Sequence, residues 1–327
     1  MGRMMHSADR NLHEATFRAM GCQMALVVAT EDAQAAAVHL AAARSLIDGL
    51  EDRLSRFRTT SELSHLNAHP ARSMPVSEDL WEVLQLAIDG ARRTGGLYDP
   101  TILDALESVG YDRPFQEMRG ENGPLRRLTS RPDSWREIRL DSRARTVTLP
   151  SGARLDFGGI AKAWTAERAA TSLSALGPCL VDAGGDIATR GAPPGRPGWP
   201  IGVADPRHPD RDLTTLVVAH RGVATSGVDF RRWRRDGTVY HHIIDPRTHL
   251  PARTDLWSVT VVAANAREAN LHAITALILG SKEGLRYLAA QYDIEGLAVD
   301  QEGGVRTTPG FCRQVWSKWI AGGVTDG

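Results

Sequence analysis

Stretches patterned for helix and for strand come in groups along this chain rather than in strict alternation. β-rich runs from Ala15 to Thr30, broken at Met20-Gly21, precede a helical pattern from Glu31 to Phe57. There Leu40, Leu46, Ile47, Leu50 and Leu54 recur at steps that build one apolar stripe. A second helix spans Ser77 to Thr94, with Ser77 as N-cap and Gly95-Gly96 as stop. Glu137–Leu140 and Arg145–Leu149 form a hairpin pattern. A helix over Ile160 to Leu176 leads to a buried strand over Cys179 to Ala183. Strands follow near Ile201–Ala204, Leu213–Ala219, Val239–Ile244 and Val259–Ala263. Ala266 to Leu279 is helical up to Gly280, and a short helix covers Lys282–Ala290. Such grouping predicts an α+β fold of mixed or antiparallel sheets flanked by helices, not a doubly wound parallel sheet. No GxGxxG lies between a strand and a helix, so the dinucleotide fingerprint is absent.

At 327 residues the length permits one to three domains, and no internal repeat divides the chain. Segments 110–136 and 193–200 are rich in Gly and Pro and are expected as loops. Basic and acidic residues balance at 39 each, which points to neither nucleic acid nor an anionic membrane as partner. The exception is local: Arg231, Arg232, Arg234 and Arg235 form either a solvated hairpin or a positive rim for a phosphorylated ligand. The cysteines, Cys22, Cys179 and Cys312, are sparse and widely spaced, without zinc or disulfide patterning. Residues 1–13 are expected as a disordered leader and 323–327 as a flexible tail. The leader lacks the apolar core of an export signal, and no apolar run approaches the ~20 residues of a membrane span. The expectation is a cytoplasmic protein.

Five segments set glycine beside polar side chains at element ends, where sites are commonly built. In Leu155-Asp156-Phe157-Gly158-Gly159-Ile160-Ala161-Lys162 a strand turns through two glycines into a helix. Its backbone N–H groups and Lys162 suit an anion, or Asp156 only caps the helix and Lys162 is solvated. Asp182-Ala183-Gly184-Gly185-Asp186 ends a buried strand as a tight turn or a place of close ligand approach. Ala224-Thr225-Ser226-Gly227 precedes His242-Ile243-Ile244-Asp245-Pro246-Arg247-Thr248. There His242 suits a general base, or is structural. Tyr98-Asp99-Pro100-Thr101 fits an ordinary helix cap with Pro100 at the first position. Ser55-Arg56-Phe57-Arg58 is explained by helix termination.

In this order the segments resemble the ApbE family of FAD:protein FMN transferases, over roughly residues 15 to 320. The matching pieces are Met20-Gly21, residues 55–67, 98–101, 155–162, 182–186, 224–227 and 242–248, and the helix from Ala266 to Gly280. The resemblance implies one α+β domain over 14–322 with a flavin cleft between sheet and helices. It implies cleavage of FAD, attachment of FMN to a Thr or Ser of an acceptor flavoprotein, and release of AMP. It places Met20 at the flavin side and Tyr98, Asp99, Pro100 and Thr101 along the nucleotide pocket. Asp156, Lys162, Thr225, Ser226 and Ile243 are placed against FAD. His242 is given the proton of the accepting hydroxyl. A Mg²⁺ ion is implied near the backbone of Gly159 to Ala161 and at Asn270.

The chain departs from the family at that metal. The family's helix carries an Asp and, four residues on, a Thr. Aligned on Gly280, those positions are Asn270 and Ile274, with Ala273 where a second acid often stands. Thr275 lies about 100° round the helix and is no substitute. Ala163 and His249 stand where glycine is usual. Two other activities stay open: FAD binding without transfer, and hydrolysis of FAD to FMN and AMP.

Overall fold

The computed structural model describes residues 11–118, 128 and 131–314. The expected tail lies outside them, as does the expected leader up to residue 10. The first described element is a hairpin of β1 (Leu12–Ala19) and β2 (Cys22–Ala29), with Leu12 opposite Ala29 and Ala19 opposite Cys22. Leu12 and His13, expected in the leader, are therefore strand, because backbone pairing to β2 holds them. The turn residues Met20 (φ 50°) and Gly21 (φ 69°) are both left-handed. That backbone twist matches a two-residue hairpin.

Asp32 accepts from the N–H of Ala35 (2.8 Å) and starts α1 (Ala33–Leu54). Its buried stripe is Ala36, Leu40, Ala43, Ile47, Leu50 and Leu54. Ser61 caps α2 (Glu62–Ala68), which β3 (Ser73–Pro75) follows. Ser77 caps α3 (Glu78–Arg93), and the chain leaves it through left-handed Gly95 and Gly96. Pro100 does not open a helix capped by Asp99, as the ordinary-cap pattern suggests. α4 (Leu103–Ser108) starts later and has no side-chain cap. Asp99 instead accepts from both the N–H (2.7 Å) and hydroxyl (2.6 Å) of Thr101.

The expected hairpin is β4 (Arg139–Asp141) and β5 (Thr146–Thr148), joined by β3 in the order β3-β5-β4. After α5 (Ala161–Leu173), β6 (Cys179–Ala183) and β7 (Asp186–Arg190) form a hairpin over left-handed Gly184 and Gly185. A separate ribbon pairs β8 (Trp199–Asp205) with β9 (His208–Val218). β10 (Gly222–Gly227) leads to the arginine-rich hairpin of β11 (Arg232–Arg235) and β12 (Thr238–His241). The strand expected over Val239–Ile244 is broken: β12 ends at His241, and β13 (Ile244–Asp245) pairs with β14 (Leu250–Pro251). The break frees His242 from ladder pairing. The chain closes with β15 (Leu256–Ala263), α6 (Ala266–Ala289), β16 (Glu295–Asp300) and β17 (Val305–Thr307). α6 is kinked at Gly280 (φ 82°, ψ 177°), where the sequence closes one helix and opens the next.

The main sheet runs β1-β2-β6-β7-β10-β15-β16-β17 with every neighbouring pair antiparallel. Alternation gives it two apolar faces. On β15, Val259, Val261 and Ala263 pack under α6 with Ala269, Ala273 and Leu277. Val262 points the other way, into a core with Ile201, Val203 and Leu216 of the β8–β9 ribbon. α1 and α5 cover β2 and β6 through Leu40, Ile47, Ala166 and Ala170. The fold is α+β, as the grouping of elements predicts.

Candidate active site

Antiparallel pairing brings four chain segments to one end of the sheet. They are the β1–β2 turn, the β6–β7 turn, the end of β10 and the start of β15. The start of α5, one face of α6 and the Leu97–Asp99 segment close the other wall. Together they enclose a cleft of about 900 Å³. Met20, Tyr98, Asp99, Asp156, Gly159, Ala161, Lys162, Thr225, Ser226, His242, Ile243 and Asn270 all line it. Pro100 and Thr101 do not line it. They brace the wall from behind: the Pro100 carbonyl accepts from the N–H of Asp156 (2.9 Å), and Thr101 holds the Asp99 carboxylate.

The diglycine turn before α5 is fixed by one carboxylate. Asp156 Oδ1 accepts from the N–H of Gly158 (2.7 Å), and Oδ2 pairs with Arg56 Nε (2.6 Å). Both side chains are nearly dry, at 6% and 10% exposure for Arg56 and Asp156. The Arg56 guanidinium lies 4.0 Å over the ring of Phe57 and 4.6 Å over that of Tyr111. Gly159 sits where a Cβ would come within 2.9 Å of the Tyr98 ring and 3.1 Å of Ile274 Cδ1. A side chain there would push both off the cleft wall.

Lys162 projects from the first turn of α5 to the Oδ2 of Asp186 at the start of β7. The other oxygen of Asp186, Oδ1, accepts from the side-chain amide of Asn270 (2.6 Å) on α6. Three elements thus meet at one buried carboxylate. Asn270 Oδ1 is buried without a hydrogen-bond partner, as are Tyr98 O–H, Asp99 Oδ2 and His242 Nδ1. Such orphaned polar atoms are uncommon in folded proteins, and these four, together with Asp229 Oδ1, belong to residues of a single cleft. A polar ligand is the economical partner.

Burial, with Arg231 and Lys162 adding positive charge, pushes the His242 imidazole well below its usual range, so the ring is neutral near pH 7. Burial raises the carboxyls of Asp99 and Asp182, and also the Cys22 thiol, which makes Cys22 a poor nucleophile although it lines the cleft. Of the arginine hairpin, Arg231 lines the cleft, while Arg232 and Arg234 are exposed. Arg231 thus stands where a positive rim was expected, Arg232 lies over the Trp257 ring (5.0 Å), and Arg234 faces solvent. On β15, Thr260 Oγ1 lies 2.9 Å from Thr225 Oγ1 on β10. Thr260 is a cleft residue that sequence reasoning did not place there, while Arg56 and Asp182 lay in segments singled out without a role and Ile274 at the position aligned with the family's metal helix. Ser258 and Thr260 in an otherwise valine-rich strand were the local signal for Thr260.

A family profile matches residues 20–298, and it is that of the ApbE family. The chain belongs to the ApbE family. An FAD:protein FMN transferase of Treponema pallidum is 33% identical over 305 residues, spanning 86% of this chain and 83% of that protein. The crystal structure of the ApbE protein from Thermotoga maritima superposes with a TM-score of 0.83 at 26% identity, over 94% of this chain and all of that one. The flavinyl transferase ApbE of Pseudomonas stutzeri, in its apo form, shares the fold at a TM-score of 0.78 and 24% identity, over 95% and 98% of the two chains. The His249 departure from the ApbE pattern also finds its place: its backbone is left-handed (φ 57°), the conformation that favours the family's glycine.

Proposed function

We propose that this chain is an FAD:protein FMN transferase that moves FMN from FAD onto a threonine or serine hydroxyl of a partner flavoprotein. One observation carries the proposal: a neutral histidine, His242, shares a 900 Å³ cleft with the Lys162 ammonium and the diglycine start of α5. The activity named for the Treponema pallidum relative supports it.

The acceptor oxygen attacks the flavin-side phosphorus of FAD. The bond from that phosphorus to the bridging oxygen breaks, and AMP leaves with the bridging oxygen. The hydroxyl proton passes to the acceptor nitrogen of His242 and on to the departing AMP or solvent. Among the protein's own groups His242 is a weak base. The pyrophosphate's negative charge offsets Arg231 and Lys162 and raises its basicity, so the substrate readies its own base. Phosphoryl transfer asks mainly for positioning and charge neutralisation. Lys162 and the N–H groups opening α5 supply both. Met20, Tyr98, Thr225, Ser226 and Ile243 bound the ligand. Burial raises the Asp99 carboxyl, and its orphaned oxygen is free to meet a ligand hydroxyl or amide. Asp156 acts indirectly, because Arg56 and Gly158 already occupy both of its oxygens.

The Mg²⁺ implied by the resemblance does not fit the residues present. Mg²⁺ asks for a near-octahedral set of oxygens, usually with carboxylates. Asn270 offers one neutral oxygen, and Ile274 presents a methyl where the family has a hydroxyl. Among the described residues, no three His, Cys, Asp or Glu side chains group to hold a metal. No step above is therefore routed through a metal ion.

No described helix is long and apolar enough to cross a membrane. We also propose a cytoplasmic location, which the three free cysteines suit. Fractionation of cells expressing the native chain tests it. For the activity, His242→Ala should keep FAD binding by fluorescence quenching yet lose acceptor flavinylation by roughly 10²–10⁴-fold. Unchanged flavinylation would refute the assigned base. Equal loss of binding would make His242 a structural residue.

A further inference from the structure

We propose that the FAD-cleaving centre of this chain works without a divalent cation, its positive charge coming from the Lys162 ammonium that Asp186 holds. The proposal rests on the transferase reading above. Three residues far apart in sequence meet here. Asp186, at 2% exposure, receives Lys162 on Oδ2 and the Asn270 amide on Oδ1. The carboxylate that the family resemblance expects on α6 is absent, yet a carboxylate stands hydrogen-bonded to that position from β7. Its charge is already matched by an internal cation.

A dication brought to this point would have to displace the Lys162 ammonium from Asp186, the carboxylate that Asn270 also holds. It would also face Ile274, whose Cδ1 packs against the Gly159 backbone. The Asn270 Oδ1 would be one neutral ligand of the six that Mg²⁺ requires. Lys162 has the opposite fit. An ammonium carries three donors, and Asp186 takes one. Two remain for phosphoryl oxygens, a role lysine fills as a point charge. Asn270 fixes the carboxylate that fixes the lysine, so it is a positioning residue in this arrangement. Lys162 exchanges no proton: it stabilises charge on the pyrophosphate as the bridging P–O bond breaks.

The test starts with metal binding by the wild-type protein. Mn²⁺, as an EPR-visible stand-in for Mg²⁺, is titrated into the protein with and without FAD. The free Mn²⁺ signal should be undiminished in both. Asn270→Asp combined with Ile274→Thr should take Mn²⁺ up. In parallel, AMP release and acceptor mass are followed with Mg²⁺ and with EDTA. Wild-type rates should be equal in the two, and the double variant should need Mg²⁺. Lys162→Met should lose roughly 10²–10³-fold, the scale of one lost charge-stabilising group. Stoichiometric Mn²⁺ uptake by wild type with FAD, or EDTA abolishing AMP release, overturns the proposal. If no AMP and no flavinylated acceptor form under any condition, the transferase reading fails. The Mn²⁺ titration then still decides the metal question alone.

Discussion

Arg56→Met is the substitution whose cost follows most directly from the structure. Arg56 ties the end of α1 to the diglycine turn before α5 through its Nε contact to Asp156 (2.6 Å). It also donates to the Tyr111 carbonyl (3.0 Å) and stacks over two rings. At 6% and 10% exposure the pair is far from a surface ion pair, which would be worth at most ~1 kcal/mol. Breaking a buried pair from one side leaves a stranded charge and costs ~3–5 kcal/mol. Asp156 retains the Gly158 N–H (2.7 Å), so the lower half of that range is expected. For a chain of 327 residues each kcal/mol moves Tm by roughly 1.5 °C, so a fall of about 4–6 °C follows. Urea unfolding should show a lower midpoint at unchanged m-value. Adding Asp156→Asn to Arg56→Met should recover much of the loss, because no charge is then stranded. A change below ~1 kcal/mol for Arg56→Met, or no recovery in the double variant, would refute the stranded-charge reasoning.

Other consequences follow from the same wall. Burial lowers His242 in the free enzyme, so the acid limb of kcat/KM should lie well below pH 6.5, and that of kcat at higher pH once the pyrophosphate is bound. A kcat/KM limb at or above 6.5 would contradict it. Burial also pushes His241 down to about 4 from an ordinary 6.5. Below pH 6.5 the unfolded chain binds the extra proton, so its stability contribution is full above 6.5 and is lost as pH falls toward 4. Urea midpoints across pH 4 to 7 measure this, relative to His241→Gln. Gly184→Ala would set a Cβ 2.6 Å from the Cys22 Cβ on a left-handed backbone (φ 65°), and should cost upward of ~2 kcal/mol in urea unfolding. The Asn67 amide donates to the Leu155 carbonyl (2.8 Å) and accepts its N–H (2.7 Å). Asn67→Leu should therefore cost ~2–5 kcal/mol and raise the KM for FAD by loosening the Asp156 turn; unchanged stability would sink this.

Much of the fold was legible because long amphipathic stripes and capped ends are local facts. α1, α3, α5 and the Gly280 break in α6 came from stripes, from Ser77 and from glycine stops. β10 was hidden for a physical reason. Its sequence Gly-Val-Ala-Thr-Ser-Gly looks like a turn, yet it is a central strand, because α6 approaches so closely that a Cβ at Gly222 would lie 2.0 Å from the N of Ala266. α2 and α4 are too short to show a period. Val239–Ile244 is rich in strand residues, but pairing stops at His241 because the Ile243 carbonyl accepts from the N–H of Ala252 instead. At the site, glycine pairs beside polar residues marked the loops that converge. What one sequence does not carry is pairing across the fold. Arg56 with Asp156, and Lys162 and Asn270 with Asp186, exist only once the elements pack. Lys162 and Asp156 were each open to a solvated or capping role, and the structure gives each a buried partner.

The central claim is a transfer, and one stoichiometry tests it most directly. The protein is incubated with FAD and an acceptor domain carrying a flavinylatable threonine. AMP is quantified by chromatography and the acceptor by intact mass. A transferase releases one AMP for each acceptor that gains an FMN phosphoryl adduct, and gives neither product when that threonine is valine. AMP without adduct would make the chain a hydrolase, and tight FAD binding with neither product would contradict catalysis altogether.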